Sequence, residues 1–128
     1  MLGGDKALPA DLFDGAARWL ATEGGLVKYG RPHQSRAGGI LKLFTTEEGL
    51  PHNSVRSVQQ DRWGYIWLAT KGGGLVRFDP RTEEFLALGM ADGLPTDKLL
   101  SLQLTDERTL WIGTYLSDVV RFELPEKG

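Results

Sequence analysis

Residues that could carry out catalysis are few in this chain. It has two histidines, His33 and His52, and no cysteine. Neither histidine lies in an HxxxH or HExxH spacing, so the sequence predicts no zinc site, and we expect no cofactor. Ser54 lies near His52 without an acid at a recognisable spacing, and no pair of carboxylates recurs as acid–base chemistry would require. The sequence therefore predicts a protein that is not an enzyme.

Length and charge exclude several other classes of function. The 128 residues are enough for one modest domain. Fifteen basic residues against 17 acidic ones give a net charge of −2, which argues against nucleic acid as a partner. No apolar run approaches the roughly 18 residues needed to span a bilayer, so we expect no membrane contact by this segment. The first residues lack a basic start and an apolar stretch, so no secretory signal is predicted.

An internal repeat organises the chain. Displacing the sequence by 44 residues gives ten identities between residues 44–78 and 88–122. In this alignment, Gly49-Leu50-Pro51 matches Gly93-Leu94-Pro95, and Trp67 matches Trp111. Val76-Arg77-Phe78 likewise matches Val120-Arg121-Phe122. An earlier, degenerate copy contains Trp19-Leu20-Ala21-Thr22 and then Gly24 to Tyr29, followed by an insertion at 30–39. The chain therefore holds about 2.9 repeats of 44 residues.

Each repeat has the pattern of a small antiparallel sheet. The second repeat contains four short apolar runs separated by turn residues, namely Val55–Gln60, Tyr65–Thr70, Leu75–Phe78 and Phe85–Leu88. The second run is apolar at successive positions, so both faces of that strand must be covered. A four-stranded meander covered on both faces and repeated every 40–50 residues is typical of a propeller blade.

These patterns predict an all-β chain that forms an incomplete β-propeller. About three four-stranded antiparallel blades would make an open arc, because four to eight blades are usually needed for closure. The predicted boundaries are 1–43 for a degenerate first blade, 44–88 for a complete blade, and 89–128 for a third blade that lacks a clear outer strand.

Residues that recur in the copies are assigned to structure. We interpret Trp19, Trp67 and Trp111 as wedges between blades in preference to a platform for stacking sugars, because a binding residue need not recur in every blade. Four further repeated residues are interpreted as a fixed turn entering the inner strand in preference to a recognition loop: Gly49, Pro51, Gly93 and Pro95.

Candidate binding residues lie in loops. The loops from fourth to first strand and from second to third strand emerge on the same side of a meander blade, where propellers commonly bind ligands. The variable polar or aromatic residues on that side are His52, Asn53, Lys71, Asp97 and Tyr115. Trp63 lies in a turn and occurs in one copy only, so it is a further candidate for ligand or interface contact, with local packing as the alternative.

The second copy resembles the two-component regulator propeller repeat. The resemblance rests on the segments Glu48 to Val55, Asp61 to Thr70 and Gly73 to Phe78, and a weaker likeness extends over residues 16–122. It implies a bacterial protein whose repeats build seven-bladed propellers. In that family such propellers form the periplasmic sensor of hybrid histidine kinases, many of which detect oligosaccharides.

The resemblance and the residues together predict a non-catalytic, ligand-binding segment of a sensor in two-component signalling. The expected partners are an oligosaccharide or another small ligand, and further propeller blades or a second copy of the chain. One alternative is an enzyme fragment similar to the propeller lyases, although His52 has no evident catalytic partner. The other alternative is an assembly module that completes a ring with other chains.

Overall fold

The computed structural model of the protein describes residues 18–30, 39–106, 108–116 and 118–124. Within these residues, ten strands form three separate antiparallel sheets. We call the sheets blade 1, blade 2 and blade 3 in chain order. The predicted all-β fold, an open and incomplete propeller, is confirmed. The start of the predicted first blade, residues 1–17, and positions 31–38 of the predicted insertion lie outside the described residues.

Each blade is a meander whose consecutive strands are hydrogen-bonded neighbours. Blade 1 contains β1 (Arg18–Thr22), β2 (Gly25–Gly30) and β3 (Gly39–Phe44). Blade 2 contains β4 (Val55–Gln60), β5 (Ile66–Thr70), β6 (Leu75–Asp79) and β7 (Glu84–Leu88). Blade 3 contains β8 (Leu99–Thr105), β9 (Thr109–Thr114) and β10 (Val119–Glu123). Short 3₁₀ turns at Thr46–Glu48 and Met90–Asp92 connect successive blades.

Strand β5 lies at the centre of the molecule and is buried along its whole length. Ile66 and Leu68 pack into an apolar cluster with Leu26 and Phe44 of blade 1. Trp67 points the other way and packs into a second cluster with residues of blade 3. This two-sided burial accounts for the uninterrupted apolar run in the sequence, because neither face of the strand meets water.

A buried carboxylate fixes the turn that precedes β5. Asp61 accepts hydrogen bonds from the backbone N–H groups of Trp63 (2.9 Å) and Tyr65 (3.0 Å). Its other oxygen accepts the indole N–H of Trp67 at 2.8 Å. Gly64 completes the turn at φ 95°, in the left-handed region that glycine adopts readily. The turn and the central tryptophan are therefore held by one side chain.

The two junctions between blades have the same design. The ring of Trp19 lies 5.4 Å from that of Phe78 in the next blade, and the ring of Trp67 lies 5.6 Å from that of Phe122. The inner strands β4 and β8 pack against each other, while β1 packs on β4 and β5 packs on β8. Each junction thus inserts a tryptophan from one blade against a phenylalanine of the next.

Candidate functional site

The loops that carry the candidate binding residues lie at one end of the blades. In blade 2, Thr70 ends β5 and its hydroxyl donates to Gly74 O at 2.9 Å while accepting Gly73 N–H at 2.8 Å. Gly74 has φ 82°, and a Cβ there would lie 2.4 Å from the carbonyl oxygen of Leu88, so only glycine fits. The β5–β6 loop is therefore fixed in shape.

His52 and Lys71 are brought together at this end. The His52 ring lies over the β5–β6 loop, so close that a Cβ on Gly72 would be 3.0 Å from its Cδ2 atom. The Nδ1 atom of His52 accepts the backbone N–H of Ser54 at 3.1 Å. Lys71 is exposed, and its backbone N–H donates to Ser54 O at 3.0 Å. An imidazole and an ammonium group therefore lie on neighbouring loops.

Asn53 and Asp97 support the connections between blades. Asn53 Oδ1 accepts the backbone N–H of Thr46 at 2.8 Å, and Asp97 Oδ1 accepts that of Met90 at 3.0 Å. The two residues are 44 positions apart and make the same bond in equivalent 3₁₀ turns. Sequence reasoning treated them as variable polar residues, although the repeat offset relates them. Their side chains hold the turns that carry the neighbouring candidates.

Three residues join blade 1 to blade 2 at the same end, and sequence reasoning considered only Ser54 among them, without finding its acid partner. Glu23 accepts the hydroxyl proton of Ser54 at 2.7 Å and forms an ion pair with Arg56. The hydrogen bond from Ser54, with a further contribution from the charge of Arg56, holds the pKa of Glu23 below its ordinary value. No sequence pattern pointed to this cluster, because Glu23 is 31 and 33 residues from its partners.

Blade 2 is joined to blade 3 by a backbone hydrogen bond on this side. Gly74 N–H donates to Asp97 O at 2.9 Å, which ties the β5–β6 loop to the connection that enters blade 3. Tyr115 lies on the β9–β10 loop, and its backbone N–H donates to Lys98 O at 3.1 Å. Its side chain is exposed. We use the name loop face for the surface formed by His52, Asn53, Lys71, Asp97 and Tyr115.

Trp63 lies apart from the other candidates. It sits in the turn between β4 and β5, at the opposite end of blade 2 from the loop face. Its ring is half-buried and packs against the cluster that contains Trp67. The same ring lines a cleft of about 220 Å³ with Gly64, Tyr65, Asp79, Pro80 and Arg81. The structure thus separates the six candidates into a loop face of five and one residue in a distant cleft.

The charged groups of this cleft are partly engaged with one another. Asp79 accepts the backbone N–H of Arg81 at 2.9 Å, which together with the Arg81 charge lowers the pKa of this carboxyl. The guanidinium of Arg77 lies 4.3 Å from the centre of the Tyr65 ring, as in a cation–π contact. The cleft therefore combines an aromatic wall with a carboxylate and an arginine side chain.

Neither a metal-binding cluster nor a membrane-spanning helix occurs in the part of the chain that the structure describes. In residues 18–30, 39–106, 108–116 and 118–124, no three His, Asp or Glu side chains are placed to hold a metal ion together. The same part of the chain has no helix with the length and apolar character that crossing a membrane requires.

Comparison with known families supports the resemblance seen in the sequence. Residues 49–72 match the family model described as "Two component regulator propeller". The match lies within the second repeat of the chain. The matched segment runs from the turn before β4 to the β5–β6 loop and includes His52, Asn53, Trp63 and Lys71. Among curated proteins, none matches the chain.

Solved structures with the same fold come from B. thetaiotaomicron. The chain resembles the crystal structure of the extracellular domain described as that of hybrid two component system BT3049, with 21% identity and a TM-score of 0.69. It resembles the corresponding domain of BT4673 with 23% identity and a TM-score of 0.71. The two superpositions include 90% and 88% of this chain. The chain spans only 15% and 16% of the length of the two solved domains.

Proposed function

We propose that this chain is a non-catalytic, ligand-binding part of a sensor propeller in a two-component signalling protein, on the periplasmic side of a bacterial membrane. The propeller repeat at 49–72 and the fold shared with extracellular domains of hybrid two-component systems support a sensor. The observation that carries ligand binding is the joining of loops from three blades into one surface. Glu23 bonds to Ser54 across the first junction, and Gly74 bonds to Asp97 across the second.

The proposed ligand contacts on this surface are polar groups with an aromatic ring. Lys71 and the half-buried His52 supply hydrogen-bonding nitrogens, and Tyr115 supplies an exposed ring with a hydroxyl. Asn53 and Asp97 contribute by holding the turns and by offering their remaining lone pairs. Hydrogen-bonding groups beside an aromatic face suit a ligand with many hydroxyls, so we propose an oligosaccharide as the ligand class.

A titration followed by NMR tests this proposal. The isotope-labelled chain is titrated with a neutral glucan hexasaccharide and, separately, with an anionic galacturonan hexasaccharide. We expect amide shifts in the loops around His52, Lys71 and Tyr115 with at least one of the sugars. Replacing these three residues by alanine should weaken binding by at least about tenfold, since clustered contacts dominate affinity. Trp63→Ala, at the other end of blade 2, is the matched control and should leave binding unchanged.

Two results would overturn the proposal in different ways. The absence of shifts with both hexasaccharides would reject the ligand class. Shifts confined to Trp63, Tyr65 and Asp79, with no response of the loop face, would move the binding site to the cleft at the opposite end of blade 2.

A further inference from the structure

Each 3₁₀ turn between blades is followed by a short connection into the inner strand of the next blade, which we call the entry loop. In blade 3, the hydroxyl oxygen of Thr96 accepts the backbone N–H of Lys98 at 3.1 Å. In blade 2, 44 positions earlier, the Nδ1 atom of His52 accepts the backbone N–H of Ser54 at 3.1 Å. The same hydrogen bond therefore closes both entry loops, with a hydroxyl as acceptor in one blade and an imidazole in the other.

The two acceptors respond differently to protons. A threonine hydroxyl does not titrate in water and keeps its lone pairs, whereas the Nδ1 atom of histidine accepts a hydrogen bond only while the imidazole is neutral. Both ring nitrogens are donors in the imidazolium, and histidine side chains gain this charge between about pH 8 and pH 5. Protonated His52 therefore cannot accept the N–H of Ser54, while the bond from Lys98 to Thr96 persists.

The loss of this bond affects a residue that connects three parts of the molecule. Ser54 is 6% exposed, so water does not readily replace the lost acceptor. Its hydroxyl donates to Glu23 of blade 1 at 2.7 Å, and its carbonyl oxygen accepts the backbone N–H of Lys71 in the β5–β6 loop at 3.0 Å. A change at Ser54 therefore reaches the first junction and the loop face together.

The other charged groups of this region keep their charge where histidine titrates. The charged residues on the elements that adjoin the entry loop of blade 2 are Glu23, Glu47, Glu48, Arg56, Lys71 and Asp97. Lysine and arginine stay protonated far above this pH range, and carboxyl groups ordinarily ionise below it. The hydrogen bond from Ser54 and the charge of Arg56 lower the pKa of Glu23 further, below 4.5. Among these groups and His52, only the imidazole changes its charge between about pH 8 and pH 5.5.

We infer that His52 is a pH-sensitive latch of the loop face. The neutral imidazole holds the entry loop of blade 2 closed through the N–H of Ser54. When a proton from solvent adds to Nδ1 of the half-buried ring, two donors face each other, and the entry loop is released from the ring. The entry loop of blade 3 stays closed, because Thr96 does not titrate. This inference concerns the shape of the loop face and does not depend on the proposed ligand.

Amide hydrogen exchange followed by NMR between about pH 8 and pH 5.5 tests the latch. The chain carries His33→Gln, so that His52 gives the only imidazole signal. We expect the protection of the Ser54 amide, corrected for the intrinsic pH dependence of exchange, to fall by at least about tenfold as the imidazole signal titrates, because a buried N–H loses its acceptor. The Lys98 amide is the matched control within the same molecule, and its protection should stay constant.

Two variants separate the imidazole from other causes of a pH effect. His52→Thr gives blade 2 the acceptor that blade 3 uses, so the Ser54 amide should be equally protected at both ends of the pH range. His52→Ala removes the acceptor and should give low protection throughout, and circular dichroism establishes that each variant is folded. Constant protection of Ser54 while the imidazole titrates would overturn the inference without any variant at this position. So would an equal loss at Lys98, or a pH effect that persists in the His52→Thr chain.

Discussion

Trp67 and Trp111 occupy the same position in successive repeats and differ in what lies beside them. Trp67 lies on β5 and Trp111 on β9, the second strand of each blade. Each indole N–H donates to a side chain six residues earlier in the sequence. Trp67 meets blade 3 and is 2% exposed, while Trp111 is 38% exposed. The repeat therefore supplies an acceptor for the indole N–H in both blades, whereas burial of the ring depends on the next blade.

The acceptors of the two indoles sharpen this contrast. Asp61 collects three N–H groups with a buried carboxylate, while Thr105 offers one hydroxyl to Trp111 at 3.1 Å. Hydrogen bonds to an ionised group are stronger than those between neutral groups. The occupied junction therefore has the tighter support, and substitutions in matched pairs can measure how much each part contributes.

The largest difference is expected from replacing the two tryptophans. Trp67→Ala should lower the free energy of unfolding by about 3–5 kcal/mol, because it removes a buried ring and leaves a cavity between blades. Trp111→Ala should cost roughly 1 kcal/mol, because the ring of Trp111 is partly exposed to water in the folded chain. Urea unfolding of both variants, each as a monomer, measures the free energy of unfolding. Equal losses would contradict the idea that burial by the next blade decides the contribution.

The next difference is expected at the acceptors. Asp61→Ala should cost about 2–4 kcal/mol, because it leaves buried N–H groups without a partner. Thr105→Ala should cost about 0.5–1 kcal/mol, as expected for one hydrogen bond near the surface. The same unfolding experiment compares them. A loss at Thr105 as large as that at Asp61 would show that the two turns are equally important.

A smaller difference is expected for the serines. Ser57→Ala should cost about 1 kcal/mol, because the N–H of Leu102 loses its acceptor across the junction. Ser101→Ala should change the stability of the single chain by less than about 0.5 kcal/mol, as for an ordinary surface substitution. Hydrogen exchange at the Leu102 amide gives a local reading, and it should become faster in the Ser57 variant alone. Unchanged exchange there would refute a role for the hydroxyl.

The smallest effect concerns pH at the first junction. The pKa of Glu23 is lower in the folded chain than its ordinary value of 4.5, so its ionised form stabilises the fold. That stabilisation is present above the unfolded pKa and is lost as the pH falls through the lower folded pKa. Glu23→Gln should therefore reduce the unfolding midpoint at neutral pH and have no such effect at about pH 2.

A carboxylate outside the junction serves as the reference for this measurement. Glu84 is exposed on β7, away from the partners of Glu23. Glu84→Gln removes an exposed carboxylate of β7 and is measured beside Glu23→Gln as the control. If the Glu23 and Glu84 variants behave alike, the bonds of Glu23 to Ser54 and Arg56 contribute nothing measurable to the junction.

The candidate site was predictable only in part. The strand order of a meander predicted that the loops lie on one side, and His52 and Lys71 do lie on neighbouring loops. The repeat offset relates Asn53 to Asp97, but only their equivalent hydrogen bonds to Thr46 and Met90 show that both side chains hold the turns between blades. The Glu23 cluster could not be inferred, because Glu23 lies in blade 1, Ser54 and Arg56 lie at the start of blade 2, and the repeat has no second copy of this arrangement to reveal it.

By itself, the sequence determined the blade: a 44-residue unit, the uninterrupted apolar middle strand and the tryptophan within it. Those features follow from backbone pairing and from side-chain alternation, which are local and readable in order. Only the tertiary structure decided which tryptophan is buried, which polar oxygens accept hydrogen bonds across a junction, and which faces stay open. The physical reason is that burial and hydrogen-bond pairing depend on the neighbouring blade. Two tryptophans at the same repeat position, Trp67 and Trp111, therefore differ in exposure.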